Sequence, residues 1–195
     1  MPAPSLVPSD ALALGPGYLY WAPLASSLPS NTVAGSVFTD AWPGAWLTLG
    51  VTANGHEFSS AIKVDPVEVE EYLEPVKWVT TGRETGIAFA LAQIHATNMK
   101  RAINGGTITV TGSGATTLSK LSPPAVGAEV RAMIGWESTD NTERLVMYQC
   151  LQVGSLKIAR RKGSDKATLD LEFKAEQPTA GGDPWNYWTA GTVRG

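Results

Sequence analysis

The chain has 195 residues, a formal net charge of −3, one cysteine and two histidines. This length suits a single domain with one core. The weakly acidic balance gives no general electrostatic reason to bind nucleic acid, which requires a strongly basic surface. A charged fraction of 17% with 20 glycines and 13 prolines favours strands and loops over helices. No run approaches the roughly 18 apolar residues of a membrane span. The first residues also lack a signal-peptide pattern, so we expect synthesis and folding in the cytoplasm.

The beginning of the chain combines proline-rich segments with one short strand. Residues 1–17 hold four prolines and are predicted to form an extended arm, because proline lacks a backbone donor and disfavours helix at the residue before it. A strand from Tyr18 to Trp21 follows. Residues 23–45 are rich in Pro, Ser, Gly and Asn and are predicted to form a long loop. Long loops in compact domains are usually functional or become ordered on a partner.

In the next part of the chain, apolar residues recur at every second position. Leu47, Leu49 and Val51 are predicted to share one face of a half-buried strand, and Asn54-Gly55 to form a hairpin turn. Beyond it, the apolar positions change from even to odd at Pro66. A bend or bulge at Pro66 is predicted to let both halves face one core. The alternation resumes at Val76 and runs up to Gly82.

A two-faced strand and a short helix follow. The strand within Gly86 to Ile94 has large apolar residues on one face and alanines on the other, so both faces are predicted to be shielded from water. The alanine face is small enough for a helix or another subunit to approach closely. A helix is predicted from Thr97 to Asn104, with Thr97 as its N-cap and Gly105 in the left-handed position at its end.

The second half of the chain is predicted to be mostly strand. The strands are Thr107 to Thr111, Glu129 to Trp136, Arg144 to Val153, Ser155 to Arg161 and Lys166 to Lys174. The last has the cleanest one-sided alternation. We therefore predict a single domain, with an N-terminal arm (1–17), a β-rich core (18–176) and a C-terminal arm (177–195).

Groups for catalysis or metal binding are scarce in this sequence. The chain has only two histidines, His56 and His95, which leaves few groups for acid–base or zinc chemistry. A structural or solvated role is favoured for His95. The Gly112-Ser-Gly114 cluster is predicted to be a turn, because no Gly-Lys-Ser/Thr follows it. Cys150 lies in an apolar run and is predicted to be a buried, inert thiol. We interpret the acidic stretch from Asp65 to Glu74 as solvated or interface charge. No enzyme, cofactor or metal site is predicted.

The seven tryptophans are the unusual feature of the composition. They bear on function because exposed indoles serve both protein interfaces and sugar stacking. Trp21, Trp78 and Trp136 lie on predicted strands and are expected in the core. The other four flank loops or the C-terminal segment. Their aromatic rings are expected either to become ordered on a partner or to dock on the chain's own core.

The order of these features resembles the major tail proteins of bacteriophages with long non-contractile tails, especially phages of actinobacteria. The resemblance centres on residues 50–105, with a glycine-turn hairpin, an acidic strand containing VEVE, then EPVKWVTTGRE, the alternating IAFALA and the helix TNMKRAIN. The early GPGYLYWAPLASSLP is also similar to the start of such proteins. About half of the chain carries the resemblance well.

The resemblance implies a mainly β (α+β) subunit with an antiparallel β-sandwich-like or barrel-like tail-tube fold, one short flanking helix and extended terminal arms. This fold is related to the tubes of contractile tails and of type VI secretion. Six subunits would close into a ring, and rings would stack around the tape-measure protein, with tail-end or terminator proteins at the ends. The expected location is the virion tail. DNA would pass transiently through the bore, and no membrane would be involved.

Three sets of residues are candidates for assembly under this interpretation. Glu68 and Glu70 are predicted to share one strand face near the lumen, because a basic lining would retain phosphates. A basic cluster is predicted at a ring-to-ring seam or on the outer surface. It consists of Lys157, Arg160, Arg161, Lys162 and Lys166. The candidate inter-subunit residues are Trp42, Trp46, Ala88, Ala90, Ala92, Trp185, Tyr187 and Trp188.

Two other classes of function are compatible with the sequence. The first is a virion decoration or carbohydrate-binding β-module that uses exposed tryptophans for stacking. Electron microscopy of concentration-dependent tubes would separate it from a tail-tube subunit. The second is a hydrolase that works through carboxylates alone, which a screen against generic esters and glycosides would reveal.

Overall fold

The computed structural model describes residues 17–156, 158, 167–179 and 182–191. Within these ranges the regular structure is twelve strands, one α-helix and one short 3-10 turn, which confirms the mainly β class. The elements are β1 (Gly17–Pro23), β2 (Val33–Ala34), β3 (Val37–Phe38), β4 (Leu47–Thr48), β5 (Thr52–Val67), β6 (Lys77–Leu91), α1 (Ala96–Ala102), β7 (Thr107–Thr111), β8 (Leu118–Ser122), β9 (Ala132–Ser138), β10 (Glu143–Gln152), β11 (Leu169–Ala175) and β12 (Trp185–Thr189). No helix in the described ranges combines the length and the apolar character that a membrane crossing requires.

One antiparallel sheet of eight strands dominates the fold, in the order β4-β1-β9-β10-β11-β6-β5 with β12 also paired to β10. Strand β10 changes neighbour along its length. Its first half, Glu143 to Met147, pairs with β12, and its second half, Cys150 to Gln152, pairs with β11. The register with β9 is irregular between Met147 and Cys150. Such irregularities make the corners at which a strand passes from one packed layer to another.

The main core lies between the two halves of this folded sheet. Leu19 on β1 and Phe89 on β6 belong to one buried cluster although three strands separate β1 from β6 in the sheet. The imidazole of His56 on β5 lies 4.9 Å from the indole of Trp136 on β9, measured between ring centroids. Both observations require the sheet to fold back on itself, with the large apolar side chains inside.

A second apolar cluster lies on the outer face of β1, β9 and β10. Its buried members are Ala22, Trp46, Met133 and Val146. The loop between β1 and β4 supplies Trp46, so this loop covers the outer face. All seven residues of β9 are consequently buried, as expected for a strand covered on both sides.

Strand β11 confirms the one-sided alternation that its sequence predicts. Leu169, Leu171 and Phe173 are each at most 3% exposed, whereas Asp170 and Glu172 face solvent. Strands β6 and β10 flank it, so its apolar face completes the main core.

The helix is present but begins differently from the prediction. Its N-cap is His95, whose Nδ1 accepts a hydrogen bond from the Asn98 backbone N–H at 3.4 Å. Thr97, the predicted cap, lies inside the first turn. The buried Asn98 amide donates to the carbonyls of Leu49 and Gln93, and these bonds attach α1 to the sheet. The predicted structural role of His95 is therefore confirmed.

The hairpin of β7 and β8 forms a separate two-stranded sheet. Its connection contains Gly112, at a φ of 86°, where a Cβ would lie 2.4 Å from the Thr116 carbonyl oxygen. Only glycine fits this position. The Gly112-Ser-Gly114 cluster is thus a turn, as predicted.

Two predictions around β4 and the start of β5 were wrong. Leu47 and Val51 are 50% and 61% exposed while Leu49 is buried, so the three do not share one face of a strand. Asn54-Gly55 lies inside β5, at a register irregularity between Thr52 and His56. A bulge in one long strand therefore replaces the predicted hairpin turn.

The bulge predicted at Pro66 does not lie at that residue, and the residues on both sides of it are exposed instead of facing one core. Pro66 pairs with Trp78, and the register shift lies between Lys63 and Val64, opposite an extra residue on β6. Because β5 is an edge of the sheet, its outer side can hold a proline without losing a ladder hydrogen bond. Trp78, expected in the core, is 60% exposed.

Candidate assembly surfaces

The long hairpin of β5 and β6 is the most exposed apolar feature of the described chain. The core ends near Phe58 on β5 and Thr85 on β6, and every described residue from 59 to 74 has an exposed side chain. The two strands stay paired out to Val67 and Lys77. We call residues 61–84 the ribbon. It extends beyond the core as a two-stranded antiparallel structure.

The ribbon exposes an unusual number of large apolar side chains. Those at least 39% exposed are Ile62, Val64, Val67, Val69, Tyr72, Leu73, Val76, Trp78 and Val79. Isolated apolar residues on a surface need no explanation, but so many in one exposed segment are typical of an interaction site. An isolated hairpin is also at best marginally stable in water. The ribbon therefore has the composition of a segment that packs against another molecule.

A three-residue ion cluster lies at the base of the ribbon. Glu84 on β6 accepts a hydrogen bond from the Lys174 ammonium on β11 and pairs with Lys63 on β5 at 3.0 Å. The hydrogen bond from Lys174, followed by that from Lys63 and the charges of both, lowers the pKa of Glu84 from 4.5 to about 2. This carboxylate thus links three strands where the ribbon leaves the core.

We expect this cluster to make the free energy of unfolding depend on pH in the acid range. Because the pKa of Glu84 is lower in the folded chain, the folded state binds fewer protons than the unfolded state between pH 4.5 and about 2. Its contribution is present above pH 4.5 and is lost as the pH falls through that window. Urea unfolding of the wild type and of Glu84→Gln, from pH 7 to pH 2, measures this contribution as the difference between the two curves.

The matched control for this prediction is Glu68→Gln, which removes a carboxylate that has no ion pair among the described residues. Its stability curve should run parallel to that of the wild type. A Glu84→Gln curve that also runs parallel to the wild type between pH 4.5 and 2 would contradict the assignment.

The predicted lumen residues Glu68 and Glu70 lie at the tip of the ribbon. Strand β5 ends at Val67, so the two carboxylates are in the connection and not on one strand face, which corrects that part of the prediction. Both are exposed. The basic cluster Lys157, Arg160, Arg161, Lys162 and Lys166 lies outside the described residues, as do residues 1–16 of the N-terminal arm.

The alanine face of β6 is partly open. Ala88 is exposed, whereas Ala90 and Ala92 are half-buried. On the opposite face, Ile87, Phe89 and Leu91 are buried in the main core, as predicted. This face is therefore partly accessible in the single chain, and its predicted contact with another element stays a prediction.

A buried arginine fastens the loop between β1 and β4 to the outer face of the sheet. Arg144 on β10 is 1% exposed. Its guanidinium donates to Glu137 Oε1 at 2.8 Å, to Asp40 Oδ1 at 2.9 Å and to the Asp40 backbone carbonyl at 2.6 Å. The same group lies 4.6 Å above the Phe38 ring. These contacts form a clamp, which we define as Arg144, Asp40 and Glu137.

The electrostatics of the clamp are balanced. Burial by itself would raise the pKa of Asp40, but the hydrogen bond and positive charge of Arg144 outweigh it and hold that pKa below its ordinary value. Glu137 is 5% exposed and also accepts a hydrogen bond from Trp42 Nε1 at 2.6 Å. Sequence reasoning missed the clamp. The available signal was a charged residue, Arg144, immediately before the buried run of β10.

The loop tryptophans have partners within the chain. Trp46 is 5% exposed, and its Nε1 donates to the Ser27 carbonyl at 2.8 Å. The Trp42 indole stacks on the Tyr20 ring with centroids 4.4 Å apart. These contacts favour docking on the chain's own core over ordering by a partner.

The C-terminal segment forms a strand of the main sheet. Residues 185–189, assigned from the sequence to an extended arm, are β12 and pair with β10. Trp185 packs on the main core and Trp188 on the outer cluster, whereas Tyr187 is 46% exposed. In the single chain the apolar side chains at 185 and 188 therefore have internal partners. The other inter-subunit candidate of this segment, Tyr187, keeps an accessible surface.

Burial shifts the pKa values of the cysteine and of one histidine. Cys150 is fully buried, and burial raises the pKa of its thiol to about 12, which confirms the predicted buried thiol. Burial lowers the pKa of His56 beside Trp136. Across the described ranges, no group of three or more His, Cys, Asp or Glu side chains could hold a metal ion.

Comparison of the chain with protein-family models gives no match, and comparison with curated proteins gives none either.

Proposed function

We propose that this protein is a structural subunit of a bacteriophage tail tube, which polymerises as stacked hexameric rings and forms the conduit for genome ejection. In this proposal the chain is not an enzyme. Its partners are other copies of itself, the tape-measure protein and the tail-end or terminator proteins, and DNA passes without specific binding. Its location is the virion tail.

The observation that carries the proposal is the ribbon. Its apolar side chains lack a cover within the described chain, and its outer strand β5 is a free edge of the sheet. Free edges and exposed apolar strands promote association between chains. In a closed ring each subunit presents the same two complementary surfaces. The free edge and the apolar side chains of one subunit are then covered by its neighbour, and open-ended aggregation is avoided. The sequence resemblance to phage major tail proteins supports the same interpretation.

The finer assignments belong to this proposal as well. Glu68 and Glu70, accessible at the tip of the ribbon, are proposed to lie near the lumen, where negative charge would keep DNA from binding the wall. The basic cluster from Lys157 to Lys166 is proposed to lie at the seam between rings or on the outer surface.

A carbohydrate-binding or decoration module would rely on exposed indoles. All seven tryptophans lie within the described residues, and Trp78 is the exposed one, while the other six are buried or half-buried. Sugar platforms built from several stacked indoles need more than this single ring. The tail-tube subunit is therefore the preferred function.

We expect the purified full-length protein to form rings or tubes as its concentration rises. The double variant Ile62→Ser with Trp78→Ser should remain monomeric, because each apolar side chain that loses its cover weakens association by about 1.5 kcal/mol or more. Two such losses correspond to roughly a hundredfold weaker association. Sedimentation velocity and negative-stain electron microscopy measure the outcome.

The control for the assembly experiment is Val126→Ser, which makes the same kind of change at a fully exposed position outside the ribbon. It should assemble as the wild type does, and all three proteins should melt at similar temperatures. A wild-type protein that stays monomeric at high concentration, and also in the presence of the tape-measure and tail initiator proteins, would overturn the proposed function.

A further inference from the structure

An aromatic cavity of about 380 Å³ lies between the two layers of the folded sheet. The residues that line it are His56, Phe58, Trp136, Leu145, Trp185 and Tyr187. Tyr187 is 46% exposed, and His56 and Phe58 are half-buried, so the cavity is accessible from solvent. Its volume is at the lower end of the roughly 300–1,000 Å³ of small-ligand sites, which is enough for one large side chain.

One face of the ribbon continues the face of β5 that lines the cavity. Phe58 belongs to the cavity wall, and side chains alternate along a strand, so Ile62 and Val64 lie on the same face as Phe58. Trp78 joins this face because it pairs with Pro66, two residues beyond Val64. The side chains of Ile62, Val64 and Trp78 are 59%, 45% and 60% exposed. The ribbon therefore presents an apolar face that stays exposed in the described chain.

The Trp78 ring is too far along the ribbon to fill the cavity of its own chain. Its pairing partner Pro66 is separated from Phe58 by a stretch of β5 that spans roughly 26 Å at about 3.3 Å per residue. Strands β5 and β6 stay paired over this distance, which holds the ring away from the base of the ribbon. The ring and the cavity can therefore meet when they belong to different copies of the chain.

A groove beside the cavity contains an arginine that has no ion pair with a described residue. The groove shares Trp185 and Tyr187 with the cavity and is also lined by Arg83. The Arg83 side chain is exposed and is absent from the ion pairs of the described chain. Asp183 lines the same groove, but it also borders Tyr148 on the outer face of the sheet.

The tip of the ribbon carries the opposite charge. Its exposed carboxylates form no ion pairs with described residues, and they are Asp65, Glu68, Glu70, Glu71 and Glu74. A ribbon tip that enters the groove of another copy brings negative charge to the Arg83 guanidinium. Complementary charges of this kind fix the register of an interface.

We propose that the ribbon of one copy docks on the aromatic cavity of the next copy, with the Trp78 ring inside the cavity. This contact rests on the proposed function, because it names the surface that receives the ribbon. Tryptophans seated in pockets commonly dominate the affinity of an interface, and covering one buries roughly 150–250 Å². Together with Ile62 and Val64, the ring supplies nearly half of the roughly 800 Å² per partner that a stable interface buries. The contact is head-to-tail, since each copy donates one ribbon and receives another.

A mixture of two full-length variants, each blocked on one side of the contact, tests the proposal. Trp78→Ser removes the ring and keeps the cavity, whereas Tyr187→Glu places a charge at the cavity and keeps the ring. Each variant should stay monomeric by itself. Their equimolar mixture should form heterodimers and grow no further, because each dimer has left only a ribbon without its ring and a blocked cavity.

Sedimentation equilibrium measures this outcome, and thermal melting confirms that both variants are folded. The mixture should associate at least roughly tenfold more tightly than either variant with itself, as expected for covering one large apolar side chain. A mixture that associates no more tightly than its components would overturn the proposal. Assembly of Tyr187→Glu as strong as that of the wild type would overturn it as well.

Photochemical crosslinking gives a second measurement that leaves the cavity unchanged. Benzoylphenylalanine in place of Trp78 keeps an aromatic side chain at this position. On irradiation at associating concentrations, it should crosslink to residues 56–58 or 185–187 of another copy, as located by mass spectrometry. The same photoreactive residue in place of Val126, which is fully exposed outside the ribbon, should give none of these crosslinks. Crosslinks from position 78 to other surfaces would show that the ribbon docks elsewhere and would contradict the proposal.

Failure of this contact and failure of the proposed function give different results. Wild-type tubes together with a mixture that forms no heterodimer would overturn the contact and keep the tail-tube function. Heterodimers in the mixture, from a wild type that forms neither rings nor tubes with the tape-measure and tail initiator proteins, would keep the contact and overturn that function.

Discussion

Arg144→Met is expected to reduce the free energy of unfolding by about 3–5 kcal/mol. Methionine retains the apolar stem of the side chain but removes the guanidinium charge between Asp40 and Glu137. Glu137, at 5% exposure, then remains as a buried carboxylate without its cation. Such a loss is a large fraction of the roughly 5–15 kcal/mol that stabilises a typical domain. Urea unfolding at pH 7, followed by tryptophan fluorescence, measures it.

The chain offers a matched surface pair as the control. Arg131 pairs with Glu176 at 3.1 Å, but the two side chains are 39% and 33% exposed. Arg131→Met should therefore destabilise the fold far less than Arg144→Met does. Adding Glu137→Gln to Arg144→Met should recover part of the loss, because it removes the uncompensated charge. Similar losses in the two single variants would show that the clamp does not stabilise the loop.

Phe173→Ala is expected to cost about 3–5 kcal/mol. Phe173 is 1% exposed in the main core and stacks with Phe89 at a centroid distance of 6.0 Å. Truncation removes the ring from the point where β11 meets β6, and the paired strands on either side limit how far the cavity can collapse. Calorimetry and urea unfolding measure the loss.

Tyr72→Ala is the corresponding aromatic truncation on the ribbon. Tyr72 is 68% exposed at the tip, and surface substitutions of this kind usually change stability by no more than about 0.5 kcal/mol. Equal losses at 72 and 173 would mean that the tip of the ribbon is buried in the folded monomer, contrary to the structure.

The sequence pattern by itself predicted the elements that bury one apolar face. The alternation of Leu169, Leu171 and Phe173 required one buried face, and the large residues from Ile87 to Leu91 required another. The helix after His95 followed from its spacing of apolar residues and the glycine beyond it. In each case the segment's own sequence is sufficient to predict the buried face. Apolar residues that recur with the period of a strand or of a helix all lie on one face of that element.

Tertiary structure alone decided what covers each face. Ile62, Val64 and Trp78 have the same strand pattern as core residues, because a period of two shows which side chains share a face but not whether another layer lies over them. Trp46 and Trp188, in segments rich in loop residues, found partners on the chain's own outer cluster.

The clamp joins residues that are far apart in the sequence, so no local pattern predicts it. Arg144 and Asp40 are separated by 104 residues, and they meet because β1, β9 and β10 are adjacent in the sheet while the loop after β1 folds across them. The sequence by itself therefore determined a mainly β chain with a short helix and a buried thiol. Only the tertiary structure decided which apolar faces remain open and which charges are buried, because burial is a property of the neighbours that the fold brings together.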